Sequence, residues 1–379
     1  MMFLEGVRIL DLSRVLAGPF ATQILADMGA DVLKVESPSG DDTRHWGPPF
    51  QGDMAAYFQS CNRNKASLVL NLKDKAHYGR LLDLVEAADV VIDNFPPAVR
   101  RRLGLTARHF QKRKLDVVTM SITGYRASRE DEPGYDIMIQ AESGLMGITG
   151  PVQGEPFKVG VALVDVLTGM MAANGILAAL YRKLKTGKGA ELSISLYQTA
   201  LLSLVNVGAN YLVSGEPSKR WGNAHPNIAP YQPFSLSDRS VIIGTGNNAQ
   251  FQRLCQVLEI GDPQITQLDN AARVKQREVL IPLIAEKLKT RSSQELLTAL
   301  KAVKIPAAPI LRPDEALLKV QSWDPHALIA LEHETLGKVG LVNHPFQGEG
   351  FRTNHQPPPL AGERGQKMAE DWLSTNNHG

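Results

Sequence analysis

The chain opens with short apolar runs that alternate with amphipathic ones. GVRILDLS has the continuous apolar character of a buried strand, and GPFATQILADMG follows with helical spacing, Pro19 near its first turn and Gly29 near its end. DVLKVE is again strand-like, which completes a β-α-β unit and predicts a parallel sheet with a right-handed crossover. ASLVLNL, HYGRLLDLVEAA, DVVIDNF and LDVVTMSIT continue the theme as strand, helix, strand and strand. GDDTRHWGPPFQGD and TGYRASREDEPGYD are rich in turn formers and read as loops.

The longest apolar run, VGVALVDVLTGMM and on through AANGILAALY, contains one acid, Asp165. Its length would suit a membrane span. However, an Asp at a helix centre costs about 2.5–3.5 kcal/mol on insertion, and Thr168, Gly169, Asn174 and Gly175 dilute the run. A buried helix of a soluble protein is the better reading. VGVALV resembles a strand, Asp165 suits an N-cap, and a helix is expected from Val166 to Leu184, stopped by KTGKG. A cap role and a chemical role for Asp165 both remain open on spacing alone, since ligands bind at such strand-to-helix junctions.

ELSISLYQTALLSLVNVGANYLVSG reads as a further helix, and the polar, proline-rich EPSKRWGNAHPNIAPYQPF as a linker or lid. SVIIGTG, FQRLCQVLEI and QELLTALKAV suggest a smaller α+β unit, after which HETLGKVGLVNHPFQGEGFRTNHQPPPLAGERG reads as strands and loops lying on another surface. No internal repeat is evident.

Bulk properties narrow the function little. The 379 residues suffice for two or three domains, with 43% hydrophobic and 21% charged residues. A net charge of +2 gives no argument for nucleic acid or a membrane surface. Two cysteines, Cys61 and Cys255, make neither a disulfide framework nor a zinc pattern. MMFLEGVRILDLS has no basic and apolar leader, so the expected compartment is the cytoplasm.

Most motifs fail. Glu36 ends the first β-α-β unit where a dinucleotide fold would hold a ribose, but the turn is SRVLAGP rather than G-x-G-x-x-G. KTGKGA is no P-loop, and H-E-x-x-H, C-x-x-C and G-x-S-x-G do not occur. The nine histidines are scattered, so no metal site is expected. Arg63, Lys65, Lys73, Lys75, Arg100, Arg101 and Arg102 lie near strand ends, where they could meet a phosphorylated ligand or simply face solvent.

Taken together, LDLSRVLAGPFATQILADMGADVLKVESPSGDDTR, NRNKASLVLNLK, DVVIDNFPPAVRRRLGL, GYD, VGVALVDVLTGMMAANGILAALY and KTGKGA resemble the class III CoA-transferases, also called the CaiB/BaiF or formyl-CoA transferase family. The likeness runs nearly the whole chain in order. GDDTRHWGPPF, SITGY, SKRWGNAHPNIAPYQPF and GTGNNAQF most resemble the members that move CoA between dicarboxylates such as succinate, glutarate and hydroxymethylglutarate.

The resemblance implies a role for each matching residue. In the pattern VGxxxxDxxTG the acid, here Asp165, is the nucleophile. It would attack the thioester of a donor acyl-CoA, giving a mixed anhydride and then an aspartyl-CoA thioester. An acceptor acid would then reverse the sequence, without ATP. A free carboxylate has a pKa of about 3.9; a helix N-terminus favours the anion and an apolar surround opposes it. Arg14, Val15, Leu70, Asn71, Leu72, Lys73, Asn94, Phe95 and Arg102 match the family's CoA contacts, with Arg100 and Arg101 left as surface cations. Tyr135 and Asp136 would line the acyl site and Trp46 could close over it, or each could serve packing alone. A remote carboxylate wants an arginine, and Arg44 and Arg220 are the candidates. CoA or acyl-CoA enters as substrate and no permanently bound cofactor is expected.

Two departures matter. Leu16 stands where oxalate-using members carry glutamine, and no glycine run occurs. Gly134-Tyr135-Asp136 replaces the G-H-D of related racemases. The family fold implies an α/β protein: a Rossmann-like large domain over residues 1–200 to which 325–379 returns, linkers at 201–227 and 316–324, and a smaller α+β domain over 228–315. Two chains would interlock as rings in a homodimer, with no nucleic-acid or membrane partner. The expected function is transfer of CoA from an acyl-CoA such as succinyl-CoA to a carboxylic acid such as glutarate or hydroxymethylglutarate. Alternatives are a relative using oxalate, formate or carnitine, a nicotinamide-dependent oxidoreductase, and a non-catalytic CoA-binding module.

Overall fold

The computed structural model describes residues 1–114 and 116–376. By its internal contacts the chain divides into two units. One comprises residues 1–143, 159–203 and 320–379; the other comprises 144–158 and 204–319.

The first unit is built on a six-stranded sheet. In chain order its leading elements are β1 (Arg8–Asp11), α1 (Ala17–Asp27), β2 (Asp31–Glu36), the short hairpin β3 (Phe50–Gln51) and β4 (Met54–Ala55), and α2 (Ala56–Ser60). Then come β5 (Lys65–Val69), α3 (Lys75–Ala87), β6 (Val90–Asp93), α4 (Pro97–Leu103), α5 (Ala107–Gln111) and β7 (Val118–Thr123). The remainder is α6 (Asp136–Glu142), α7 (Leu163–Thr186), β8 (Ala190–Ser195) and α8 (Leu196–Ser203). The sheet order is β5-β2-β1-β6-β7-β8, every pairing parallel. This is the strand order of a dinucleotide-binding fold, and its direction reverses between β1 and β6. Strands that are buried throughout, such as Val90–Asp93, read as unbroken apolar runs for that reason.

Two sequence readings are corrected here. VGVALV is not a strand: α7 begins at Leu163, and Ala162 is its N-cap residue without a side-chain bond. Asp165 therefore lies inside the first helical turn rather than at the cap. The apolar run is continuous because the preceding loop is apolar too, and period alone does not distinguish the two. ELSIS is the edge strand β8, not the start of a helix; its exposed and half-buried residues hid the strand signal. By length and composition α7 could cross a membrane. In the structure its small residues Ala172, Ala173 and Ala179 are buried with Val164 and Ile176, and its Gly169 lies against the start of α1. Gly187 ends it in the left-handed conformation that glycine adopts without strain.

The second unit holds α9 (Val205–Ser214), the antiparallel strands β9 (Tyr231–Ser235), β10 (Ser240–Gly244) and β11 (Ala307–Pro309), and helices between β10 and β11. Its core gathers Phe234, Val241, Ile243, Phe251, Leu254, Leu280, Ile284 and Leu300. The chain then returns to the first unit as the hairpin β12 (Leu328–His333) and β13 (Gly337–Val342) and a final helix, α10 (Gly365–Asn376). Trp372 of that helix is buried in the core with Leu81, Val85 and Phe110. The tail reading stopped short of this helix.

Candidate active site

Two adjoining cavities open at the carboxyl ends of β1 and β6. The first, about 290 Å³, is lined by Leu12–Arg14, the Glu36–Asp42 loop, Leu70–Lys73, Phe95, Arg102 and Leu103. The second, about 240 Å³, is lined by Arg14–Ala17, Asn94–Pro97, Ile122–Gly124, Glu130–Tyr135, Asp165 and Leu196. Arg14, Asp42 and Phe95 border both. The fold thus brings nine residues singled out as CoA contacts to one mouth: Arg14, Val15, Leu70, Asn71, Leu72, Lys73, Asn94, Phe95 and Arg102. Lys73 and Arg102 are exposed and ion-pair with no described residue, which leaves both charges free for an anion.

The turn after β1 is held from beneath by buried charge. Lys34 lies fully inside the sheet, pairs with Asp41 at 2.9 Å and donates to the Ser13 carbonyl at 2.8 Å. Asp41 in turn accepts from the Val15 amide at 3.3 Å. Burial pushes the Asp41 carboxyl up, but Lys34 outweighs it and holds the group below the usual carboxylate range. Val15 has φ +71°, a conformation that costs a β-branched residue of order 1–3 kcal/mol and persists only where neighbours over-determine it. Asn94 completes the clamp, accepting from the Arg14 amide at 3.0 Å and donating to the Arg14 carbonyl at 2.7 Å. The Arg14 guanidinium is thereby set at the junction of the cavities, 3.2 Å from Asp42.

Asp165 reaches the second cavity from the first turn of α7. A Cβ on Gly169 would sit 2.6 Å from the Ala17 carbonyl, so only glycine lets α7 approach the uncapped start of α1 this closely. Two helix N-termini therefore converge on the cavity, and both favour negative charge there. Burial opposes them. Together with the charge of Asp136 it pushes the Asp165 carboxyl up to about 7. The Asp136 carboxylate accepts from the Val164 amide at 2.8 Å and the Asp165 amide at 3.3 Å, and caps α7 from outside.

Other candidates fall differently. Tyr135 lines the second cavity and is 60% exposed. Asp136 is buried and turned into the α7 cap instead of the cavity. Trp46 lies outside both linings and meets Tyr57 edge-on at 5.4 Å. Arg44 is closed in a buried bidentate pair with Glu36, at 2.6 and 2.8 Å, and stacks on Phe58. That occupies both the arginine proposed for a remote carboxylate and the acid a ribose would need. Arg220 belongs to the second unit and donates to the carbonyls of Pro151 and Gly154. Arg63 and Lys65 are buried partners of Asp27 and Asp11, and Arg100 and Arg101 pair with acids, so none offers free charge. Tyr57 escaped the sequence reading. Burial and then the Asp165 charge push its hydroxyl up to about 12, which places it in the field of that acid. Nothing in the surrounding MAAYFQS signals this. Among the described residues no group of three or more His, Cys, Asp or Glu could hold a metal.

Comparison with known proteins supplies a second line of observation. A family model described as CoA-transferase family III matches residues 4–365. The chain is 38% identical over 380 residues to the succinyl-CoA:glutarate CoA-transferase of Homo sapiens, covering 98% of this chain and 86% of that one. It is 37% identical over 382 residues to the succinate–glutarate CoA-transferase of Agrobacterium fabrum, covering 97% and 95%. The crystal structure of a CAIB/BAIF family protein from Brucella suis superimposes with a TM-score of 0.84 at 36% identity, over 97% of this chain and 98% of that one.

Proposed function

Because this chain belongs to CoA-transferase family III and is a CoA-transferase, we propose that Asp165 is its nucleophile and that it moves CoA from succinyl-CoA to glutarate or a closely similar dicarboxylate. The observation that carries the chemistry is a largely buried carboxylate in the first turn of a helix, in a cavity that adjoins one offering free cations. The acceptor comes from the names of the relatives.

In this reading the nucleotide end of CoA lies over Leu70–Lys73 and Arg102, and the pantetheine thiol passes Arg14 and Phe95 to reach Asp165. The Asp165 carboxylate attacks the thioester carbonyl carbon, the C–S bond breaks, and CoA leaves as thiolate. The thiolate then attacks the aspartyl carbonyl and releases the donor acid, leaving an aspartyl-CoA thioester. The acceptor carboxylate repeats the exchange in reverse. Uncapped amides at the start of α1 are suited to the oxyanions formed at each attack. Glu36, sealed by Arg44, argues against a nicotinamide site.

The test is to incubate the enzyme with succinyl-CoA, digest it under mild acid and look by mass spectrometry for CoA on the peptide containing Asp165. Asp165→Ala is the control. Adduct on the wild type alone is expected; absence across a panel of acyl-CoAs, with and without acceptor, would sink the mechanism. Steady-state comparison of glutarate, hydroxymethylglutarate, oxalate and formate as acceptors tests the specificity. A homodimer is also part of this proposal. It is supported by large apolar side chains left exposed on α7, α8 and α9, among them Tyr181, Leu184, Leu202, Leu212 and Val213. Sedimentation equilibrium showing a monomer at micromolar concentration would remove it. We further place the enzyme in the cytoplasm, which cell fractionation tests.

A further inference from the structure

The first turn of α7 borrows its cap. Ala162, the N-cap residue, has no side-chain acceptor. Asp136, at the start of α6, supplies one: Oδ1 accepts from Val164 and Asp165, and Oδ2 accepts from Gln140 Nε2 at 2.5 Å. Gln140 is itself fully buried, and its Oε1 accepts from the Val159 amide at 2.8 Å. One side chain of α6 thus holds the helix start and a second holds the loop before it.

Capping alone does not require an acid, since Asn, Ser and Thr cap about as well. An acid here brings a negative charge beside a second carboxylate. The other ionisable groups around the cavity are Tyr57 on α2, Arg14 and Asp42 at the mouth, and Glu130, Asp131, Glu132 and Tyr135 on the facing loop. None of them donates a described hydrogen bond to the Asp165 carboxylate, and Arg14 is paired with Asp42.

We propose that Asp136 is a positioning residue that aims Asp165 through the α7 cap and, by its charge, favours covalent aspartyl adducts over the free carboxylate. The inference rests on Asp165 being the nucleophile. When an Asp165 oxygen bonds to the acyl carbon and the C–S bond breaks, the negative charge passes to the CoA sulfur. In the aspartyl-CoA thioester it has left with the donor acid. In both adducts residue 165 is neutral, and its repulsion with Asp136 is gone. Asp136 therefore destabilises only the free-carboxylate state, which agrees with the upward displacement of the Asp165 carboxyl.

The test uses the full-length enzyme with succinyl-CoA and compares wild type with Asp136→Asn, Asp136→Glu and Asp136→Ala. Rapid-quench mass spectrometry follows CoA on the Asp165 peptide from pH 5 to 9. For Asp136→Asn the midpoint of adduct formation should fall by about one pH unit, and the equilibrium ratio of adduct to free enzyme at high pH should fall about tenfold. Asn turns an amide toward Gln140 and loses some rate everywhere, but a pH midpoint does not report that loss. Asp136→Glu, which keeps the charge, should keep the wild-type midpoint. Asp136→Ala should lower kcat with little change in KM for the acyl-CoA; if it fails to fold, the other two decide. An unchanged midpoint and adduct ratio in Asp136→Asn would reduce Asp136 to a structural cap and overturn the proposal. Absence of adduct on wild-type Asp165 would overturn the nucleophile reading first, and this inference with it.

Discussion

A carboxylate whose charge is disfavoured by its surroundings should weaken the folded protein in the pH range where that charge is present. Asp165→Asn removes the charge with almost no change of shape. Burial and Asp136 raise the carboxyl from 3.8 to about 7. Below pH 3.8 the acid is neutral in folded and unfolded chains alike, and it contributes no difference. As pH rises from 3.8 to 7 the unfolded chain ionises while the folded one does not, so stability falls; above 7 the loss is complete. Three units correspond to an upper limit of about 4 kcal/mol. About 2–3 kcal/mol of that should develop between pH 5 and pH 8.5, less whatever solvent screening removes, since Asp165 is only partly buried. Urea denaturation of wild type and Asp165→Asn at both pH values reads the quantity, because titrating groups that do not feel the Asp165 charge cancel in the difference. The first unit should be followed through its own probe, for example amide exchange in α7, since two units need not unfold together. Asn should stabilise, and by more at pH 8.5 than at pH 5. An equal effect at both, or a larger one at pH 5, would show that Asp165 ionises normally and would refute the electrostatic account of the site.

Other outcomes follow from the same geometry. The rate of adduct formation on wild-type Asp165 should rise about tenfold per pH unit below 7 and level off above it, as read by rapid-quench mass spectrometry. Gly169→Ala should cost about 1–3 kcal/mol in a denaturation curve and lower the adduct rate, because its Cβ meets the rigid Ala17 carbonyl. Lys73→Ala and Arg102→Ala should each weaken CoA binding about 10–100-fold by calorimetry, while KM for the acceptor acid stays near its wild-type value. Arg44→Ala should destabilise the fold by about 3–5 kcal/mol, since it strands the buried Glu36 carboxylate. A selective rise in KM for glutarate without that loss would return Arg44 to the substrate site.

The parallel sheet was legible because its central strands are buried on both faces and so carry mostly apolar runs, with helices of clear period between them. The edge strand Ala190–Ser195 was not, because half-exposed residues blur the run. Asp165 stood out as one acid in an apolar stretch, and Lys73 and Arg102 through their motifs. The roles of Lys34, Asp41, Arg44 and Glu36 were illegible. The motifs pointed Glu36 toward a ribose and Arg44 toward a substrate carboxylate; Lys34 and Glu36 lie on β2, and only the folding of the loop after it brings Asp41 and Arg44 back onto them inside.

The sequence by itself determined the alternation of strands and helices, because periodicity is local along the chain, and the family, because its motifs resemble those of class III CoA-transferases; the same resemblance singled out Asp165. Only the tertiary structure decided that Asp165 lies within a helix turn, that its cap comes from a residue 29 positions away, and that two cavities meet at Arg14. The physical reason is that capping, burial and Coulomb interaction depend on distance in space. A carboxylate 29 positions away can set the proton affinity of another only after packing has brought the two side by side.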